Sequence, residues 1–98
     1  MRTMLIAEMD TDRANKAIKD QTMAQVMAGA MEKLKPEAAF FGAKDGARTG
    51  FLIFDLEEPA EIPDVCEPFF QELGAKITMI PVMTFDDVKK GLQRYASG

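Results

Sequence analysis

Apolar and polar positions change their period several times along the chain, and each change marks a predicted element. From Thr3 to Met9 apolar residues fall on both sides of an alternation, as in a strand covered on both faces. Asp10-Thr11-Asp12 follows. Asp10 or Thr11 can cap a helix, and Asp12 then sits in the first turn, where the positive end of the peptide dipoles favours a carboxylate. A helix is predicted from about Asp12 to Lys35, ended by Pro36, because the residue before a proline is pushed out of the helical region. In its second half Thr22, Met23, Val26, Met27, Ala30 and Leu34 share one face at helical spacing. Extended backwards, that face reaches the polar Asn15, Lys16 and Lys19, while Ala14, Ala17 and Ile18 lie opposite. Either the helix bends near Asp20-Gln21-Thr22 or its first turns project beyond the sheet.

The next pattern is a hairpin. Ala38–Lys44 and Ala47–Leu56 flank Asp45-Gly46, a two-residue loop of the kind that accepts positive φ at both positions. The loop dictates the pairing of Lys44 with Ala47, Gly42 with Thr49, Phe40 with Phe51 and Ala38 with Ile53. One face then carries Phe40, Phe51 and Ile53; the other carries Phe41, Leu52, Phe54 and Leu56, with Phe41 over Gly50. After Glu57-Glu58-Pro59, the residues Ile62, Val65, Cys66, Phe69, Phe70 and Leu73 form the apolar face of a second helix. Pro63 suits its first turn, and Pro68 should kink it or delay its start. Gly74 is placed to terminate it. Lys76–Met83 is a final strand, with Pro81 arguing for a sheet edge. Thr84 and Asp87 make a capping box for a last helix striped by Phe85, Val88, Leu92 and Tyr95.

This order is that of an α+β, ferredoxin-like βαββαβ domain with an antiparallel four-stranded sheet plus a C-terminal helix. Two right-handed crossovers put both main helices on one face and give the strand order 4-1-3-2. The other face should then be polar, but neither side of the strands is: Leu5, Ala7 and Met9 stand against Met4 and Ile6, Leu52, Phe54 and Leu56 against Phe51 and Ile53, and Ile77, Met79 and Met83 against Ile80 and Val82. One chain lacks the helices to cover both faces, so a second copy is the expected cover and a homodimer the expected state. The eight methionines supply adaptable packing for it. The layout resembles the dimeric α+β barrel superfamily, in which two such sheets close face to face. The stretch Glu67-Pro68-Phe69-Phe70-Gln71-Glu72-Leu73-Gly74-Ala75-Lys76, with Pro81-Val82-Met83-Thr84, resembles the C-terminal half of a group of small, uncharacterised bacterial proteins. That resemblance brings no activity with it.

Composition narrows the function classes. Ninety-eight residues make a single domain, 1–98. The only cysteine, Cys66, cannot staple the fold, and neither the N-terminal apolar run nor any later one approaches a signal-peptide core or a membrane span. A soluble, cytoplasmic protein is expected. Without histidine or tryptophan there is no His-based acid–base chemistry and no His-ligated metal or haem, and no metal or cofactor is expected. Net charge is −4, and from Thr49 to Ala75 there are acidic residues but no Lys or Arg, which disfavours a phosphate-rich partner. Ala47-Arg48-Thr49-Gly50-Phe51-Leu52-Ile53-Phe54 matches only the second half of the RNA-recognition strand motif, so nucleic acid is not an expected partner. Gly42-Ala43-Lys44-Asp45-Gly46 matches neither a phosphate loop nor a dinucleotide fingerprint.

What candidate chemistry remains is a small-ligand cleft between sheet and helices. Glu8 ends an apolar strand and reads either as a base facing that cleft or as a carboxylate paired with Arg2, Arg48 or a lysine. With Asn15 and Lys19 on the sheet-facing side of the first helix, and Arg48 as an outer member, it would line a mouth above an apolar floor. Such a site suits a small organic ligand or a cofactor-independent enzyme. The alternative is an interaction module whose dimer surface is itself the function. Cys66 reads as core.

Overall fold

Each change of period becomes an element boundary in the computed structural model, which describes residues Met1–Gly98. The elements are β1 (Arg2–Glu8), α1 (Thr11–Lys19), α2 (Thr22–Leu34), β2 (Ala38–Lys44), β3 (Ala47–Asp55), α3 (Glu61–Leu73), β4 (Lys76–Pro81) and α4 (Phe85–Ser97). The four strands form one antiparallel sheet in the order β2-β3-β1-β4, with Pro81 on an edge strand.

The predicted long first helix is two helices. Asp10 caps α1 by accepting from the Arg13 N–H at 3.1 Å. At the other end Gln21 adopts the left-handed conformation, φ 68°, and stops α1 outright. The Asp20 carboxylate accepts from the Thr22 N–H at 3.0 Å, which starts α2 and holds the Asp20 carboxyl below its ordinary range. A left-handed non-glycine residue costs on the order of 1–2 kcal/mol, so the break is sustained by the packing on either side. Its effect is to free α1 from the face set by α2. Ala14 and Ala17 turn into the core, and Asn15 and Lys19 turn to solvent. The expectation that Asn15 and Lys19 face the sheet is thereby corrected: small alanines let α1 approach closely, and a Lys stem there would hold it off.

The hairpin pairs as its turn dictates. Asp45 and Gly46 have φ of 53° and 78°, and all four expected cross-strand pairs are present. The Phe41 ring lies over Gly50, where a Cβ would sit 3.2 Å from ring carbon Cε1. In α3, Pro68 interrupts the backbone ladder without delaying the helix, which begins at Glu61. The Asp64 carbonyl that loses its partner N–H is approached by the Lys33 ammonium at 3.5 Å, and the Asp64 carboxylate is bound by the same group at 3.0 Å. Gly74 ends α3 at φ 53°, and a Cβ there would meet the Arg13 side chain at 3.0 Å.

The core lies between α1–α3 and one side of the sheet. Leu5, Ala7, Leu52 and Phe54 meet Ala14, Ala17, Val26, Ala30, Val65, Cys66, Phe69 and Leu73. Only α4 stands apart. Its capping box forms, with the Asp87 N–H donating to Thr84 and the Asp87 carboxylate accepting from the Thr84 N–H. Nevertheless no residue of α4 is buried, and the molecule measures 56 × 28 × 18 Å.

Candidate functional site

Register decides which side chains share a surface, because successive residues of a strand face opposite ways. Across the sheet Met4 pairs with Ile53 and Ile80, Ile6 with Phe51 and Thr78, and Phe40 with Phe51. These residues all point away from α1, α2 and α3. They form an apolar field with no helix over it, half-buried along β1 and β3 and exposed at Phe40 on the β2 edge.

Charged groups close both ends of this field. At one end Arg2 pairs with Glu37 through a 2.5 Å contact, which raises the arginine's already high pKa. At the other, the Lys44 ammonium reaches over β3 and donates to Glu8 Oε1 at 3.3 Å and to Asp45 at 2.9 Å. Asp45, and behind it Glu8, raise the lysine's pKa. Glu8 is the unusual member. Its side chain is only 12% exposed, with the fully buried Thr49 opposite it in register. A carboxylate this desolvated needs a cation, and Lys44 supplies it. Lys44 was not among the sequence candidates. The hairpin register puts Lys44 on the Thr49 face of β3, and the pairing of Thr49 with Glu8 then sets the two side chains on one face with β3 between them.

Beyond the edges of the helical layer lie two apolar grooves. One, of about 460 Å³, runs along the β2 edge and is lined by Met9, Ile18, Met23, Met27, Met31, Phe41 and Arg48. The other, of about 420 Å³, runs between α3 and β4 and is lined by Ile62, Pro63, Cys66, Glu67, Phe70, Ile77 and Met79. Burial pushes the Cys66 thiol up, away from the thiolate that nucleophilic chemistry requires. No three Cys, Asp or Glu residues gather closely enough to hold a metal ion.

The four sequence candidates are therefore dispersed. Glu8 lies on the open face, and Arg48 projects into the groove on the opposite side of the sheet. Asn15 and Lys19 are exposed on α1 and line none of the cavities. No cavity reaches Glu8. What the fold concentrates is uncovered apolar surface. No helix is long and apolar enough to cross a membrane.

Compared with known proteins, the chain matches the family DUF3303, a domain of unknown function, over residues 1–96, and it belongs to that family. No curated protein matches it.

Proposed function

We propose that this member of the DUF3303 family is a ferredoxin-like domain whose function is exercised as a homodimer, two open sheet faces closing on one another as an α+β barrel. The observation behind this reading is the apolar field of Met4, Ile6, Phe51 and Ile53, which no helix of the chain covers. Water contact at such a surface costs about 25 cal/mol per Å², so aromatic and branched side chains across four strands give a strong drive to association. A second copy brings the same field, and an isologous pair is self-complementary by symmetry. The ion pairs Arg2–Glu37 and Glu8–Lys44 then lie at the two ends of the interface, where charge is tolerated as a polar rim.

Sedimentation tests this directly. The wild-type chain, 10.9 kDa, is expected to sediment as a dimer. Ile53→Asp, which puts a charge in the middle of the field, is expected to give a monomer with an unchanged far-UV circular dichroism spectrum. A wild-type monomer at micromolar concentration overturns the reading.

A second reading, a small organic ligand held within the dimer, is favoured by one observation, the nearly buried Glu8 carboxylate beside an apolar floor. There Glu8 and Lys44 would be the polar grip and Ile6 and Phe51 the floor, with Asn15, Lys19 and Arg48 outside it. Native mass spectrometry of the protein from its own host reports subunit count and retained ligand together. Dimers of bare chain mass favour the interaction module over the ligand-binding one.

A further inference from the structure

Closing the sheets leaves two features of the molecule without a partner. The first is α4, a 13-residue helix with no buried residue and a stripe of Phe85, Val88, Leu92 and Tyr95. Phe85 is 75% exposed, Leu92 61% and Tyr95 86%. The second is the β2 edge. Phe40 and Phe41 are adjacent, so they project from opposite faces of one strand, and both are exposed. A sheet-to-sheet pair covers Phe40 only. Phe41 faces the groove with Met23, Met27 and Met31, on the helix side.

We infer that α4 docks, stripe inward, in the methionine groove beside β2 of a second copy of this chain; the inference rests on the homodimer proposed above. Three observations select this occupant. The first is area. Four strands spaced about 4.8 Å apart, on average about seven residues long at about 3.3 Å per residue, give an open face on the order of 450 Å². Two such faces total on the order of 900 Å², short of the roughly 1,200–2,000 Å² of a stable interface. The exposed parts of Phe85 and Tyr95 supply roughly 300 Å² per chain, since an aromatic side chain carries about 150–250 Å². Two arms and the grooves beneath them bring the total to standard size.

The second observation is fit. Met23, Met27 and Met31 repeat every four residues, a ridge of about 12 Å at 1.5 Å per residue, and the stripe from Phe85 to Tyr95 is about 15 Å long. Apolar helices seated on methionine-lined grooves are a recurring recognition mode. The groove's only charge, Arg48, suits the acidic first turn of α4, Asp86 and Asp87. The third is Gly91, which flanks the stripe and has no atom within 4 Å of where its Cβ would be. Alone in solvent it costs α4 about 1 kcal/mol relative to alanine, whereas against a partner it permits close approach. The arm is also continuous with the proposed interface, since α4 starts just after β4 ends at Pro81.

Site-directed cross-linking tests the placement. In a Cys66→Ala chain, Leu92→Cys is mixed with either Met27→Cys or Phe70→Cys, subunits are exchanged, and a short bis-maleimide is added. The covalent dimer with Met27→Cys is expected to exceed that with Phe70→Cys at least tenfold. A preference for Phe70→Cys, cross-linking within a single chain carrying both Leu92→Cys and Met27→Cys, or no cross-link in an intact dimer overturns the docking. Separately, Leu92→Asp is expected to raise the dimer dissociation constant at least tenfold with the circular dichroism unchanged. Wild-type affinity in that variant overturns the arm and leaves the sheet pair standing; a monomeric wild-type chain overturns both.

Discussion

The two faces of the sheet are built from neighbouring residues of similar character and end in different surroundings. Leu5, Leu52 and Phe54 are at most 2% exposed beneath α1–α3. Met4, Phe51 and Ile53, each one residue away, remain half-exposed. Hydrophobicity alone therefore says that a surface is to be covered; the number of helices within the chain decides which surface is covered from inside. The contrast has an energetic side. Contacts on the helical face stabilise the domain at any concentration. Contacts on the open face, in the homodimer reading, contribute only as the chain associates, and their effect rises with protein concentration by mass action.

Substitutions can separate the faces. The largest effect is expected from Leu52→Asp, which places an unpaired charge in the closed core and should prevent folding, while Ile53→Asp on the next residue should leave a folded monomer. Solubility and circular dichroism distinguish them. Phe54→Ala should cost about 3–5 kcal/mol in urea unfolding, equally at every protein concentration. Phe51→Ala should instead lower the melting temperature most at high concentration, where the wild-type chain is most associated. If the two phenylalanines respond alike to concentration, the distinction between the faces is lost.

A smaller contrast lies between two glycines. Gly74→Ala meets both a left-handed backbone and the Arg13 side chain, and should destabilise the domain by about 1–2 kcal/mol. Gly91→Ala should raise the helicity of α4 in the monomer, as seen by amide chemical shifts, while weakening the dimer if the helix is docked. The smallest effect is that of acid on α4. The hydrogen bond it accepts from the Thr84 backbone N–H, and after it the neighbouring Thr84 side chain, hold the Asp87 carboxyl below its ordinary value of 3.8. The folded value is depressed, so the contribution of Asp87 is in force above pH 3.8 and fades as pH falls from there through the folded value. Fraying of the first turn of α4 should follow that window, and Asp87→Ala should abolish its pH dependence.

The hairpin was wholly legible in the chain, because Asp45-Gly46 is a local signal and a two-residue turn leaves one register. The strand order was legible too, since short connections and handed crossovers leave few ways to wind these elements. The candidate site was much less so. Placing Asn15 and Lys19 toward the sheet carried the face of α2 back through α1; the switch of apolar face pointed to a bend near Asp20-Gln21-Thr22, and the break falls there, at the left-handed Gln21. Glu8 was recognisable as a carboxylate out of place on an apolar strand; that Lys44 answers it depended on a contact spanning 36 residues.

Local rules thus settled what was local in this protein: where the strands begin, how the turn pairs two of them, and how much apolar surface the chain has to hide. Which alanines of α1 enter the core, where Glu8 finds its cation, and that α4 stays clear of its own domain were decided only in three dimensions. The reason is that these outcomes depend on distances between segments far apart in sequence, where each side chain competes with every other for a limited area of sheet.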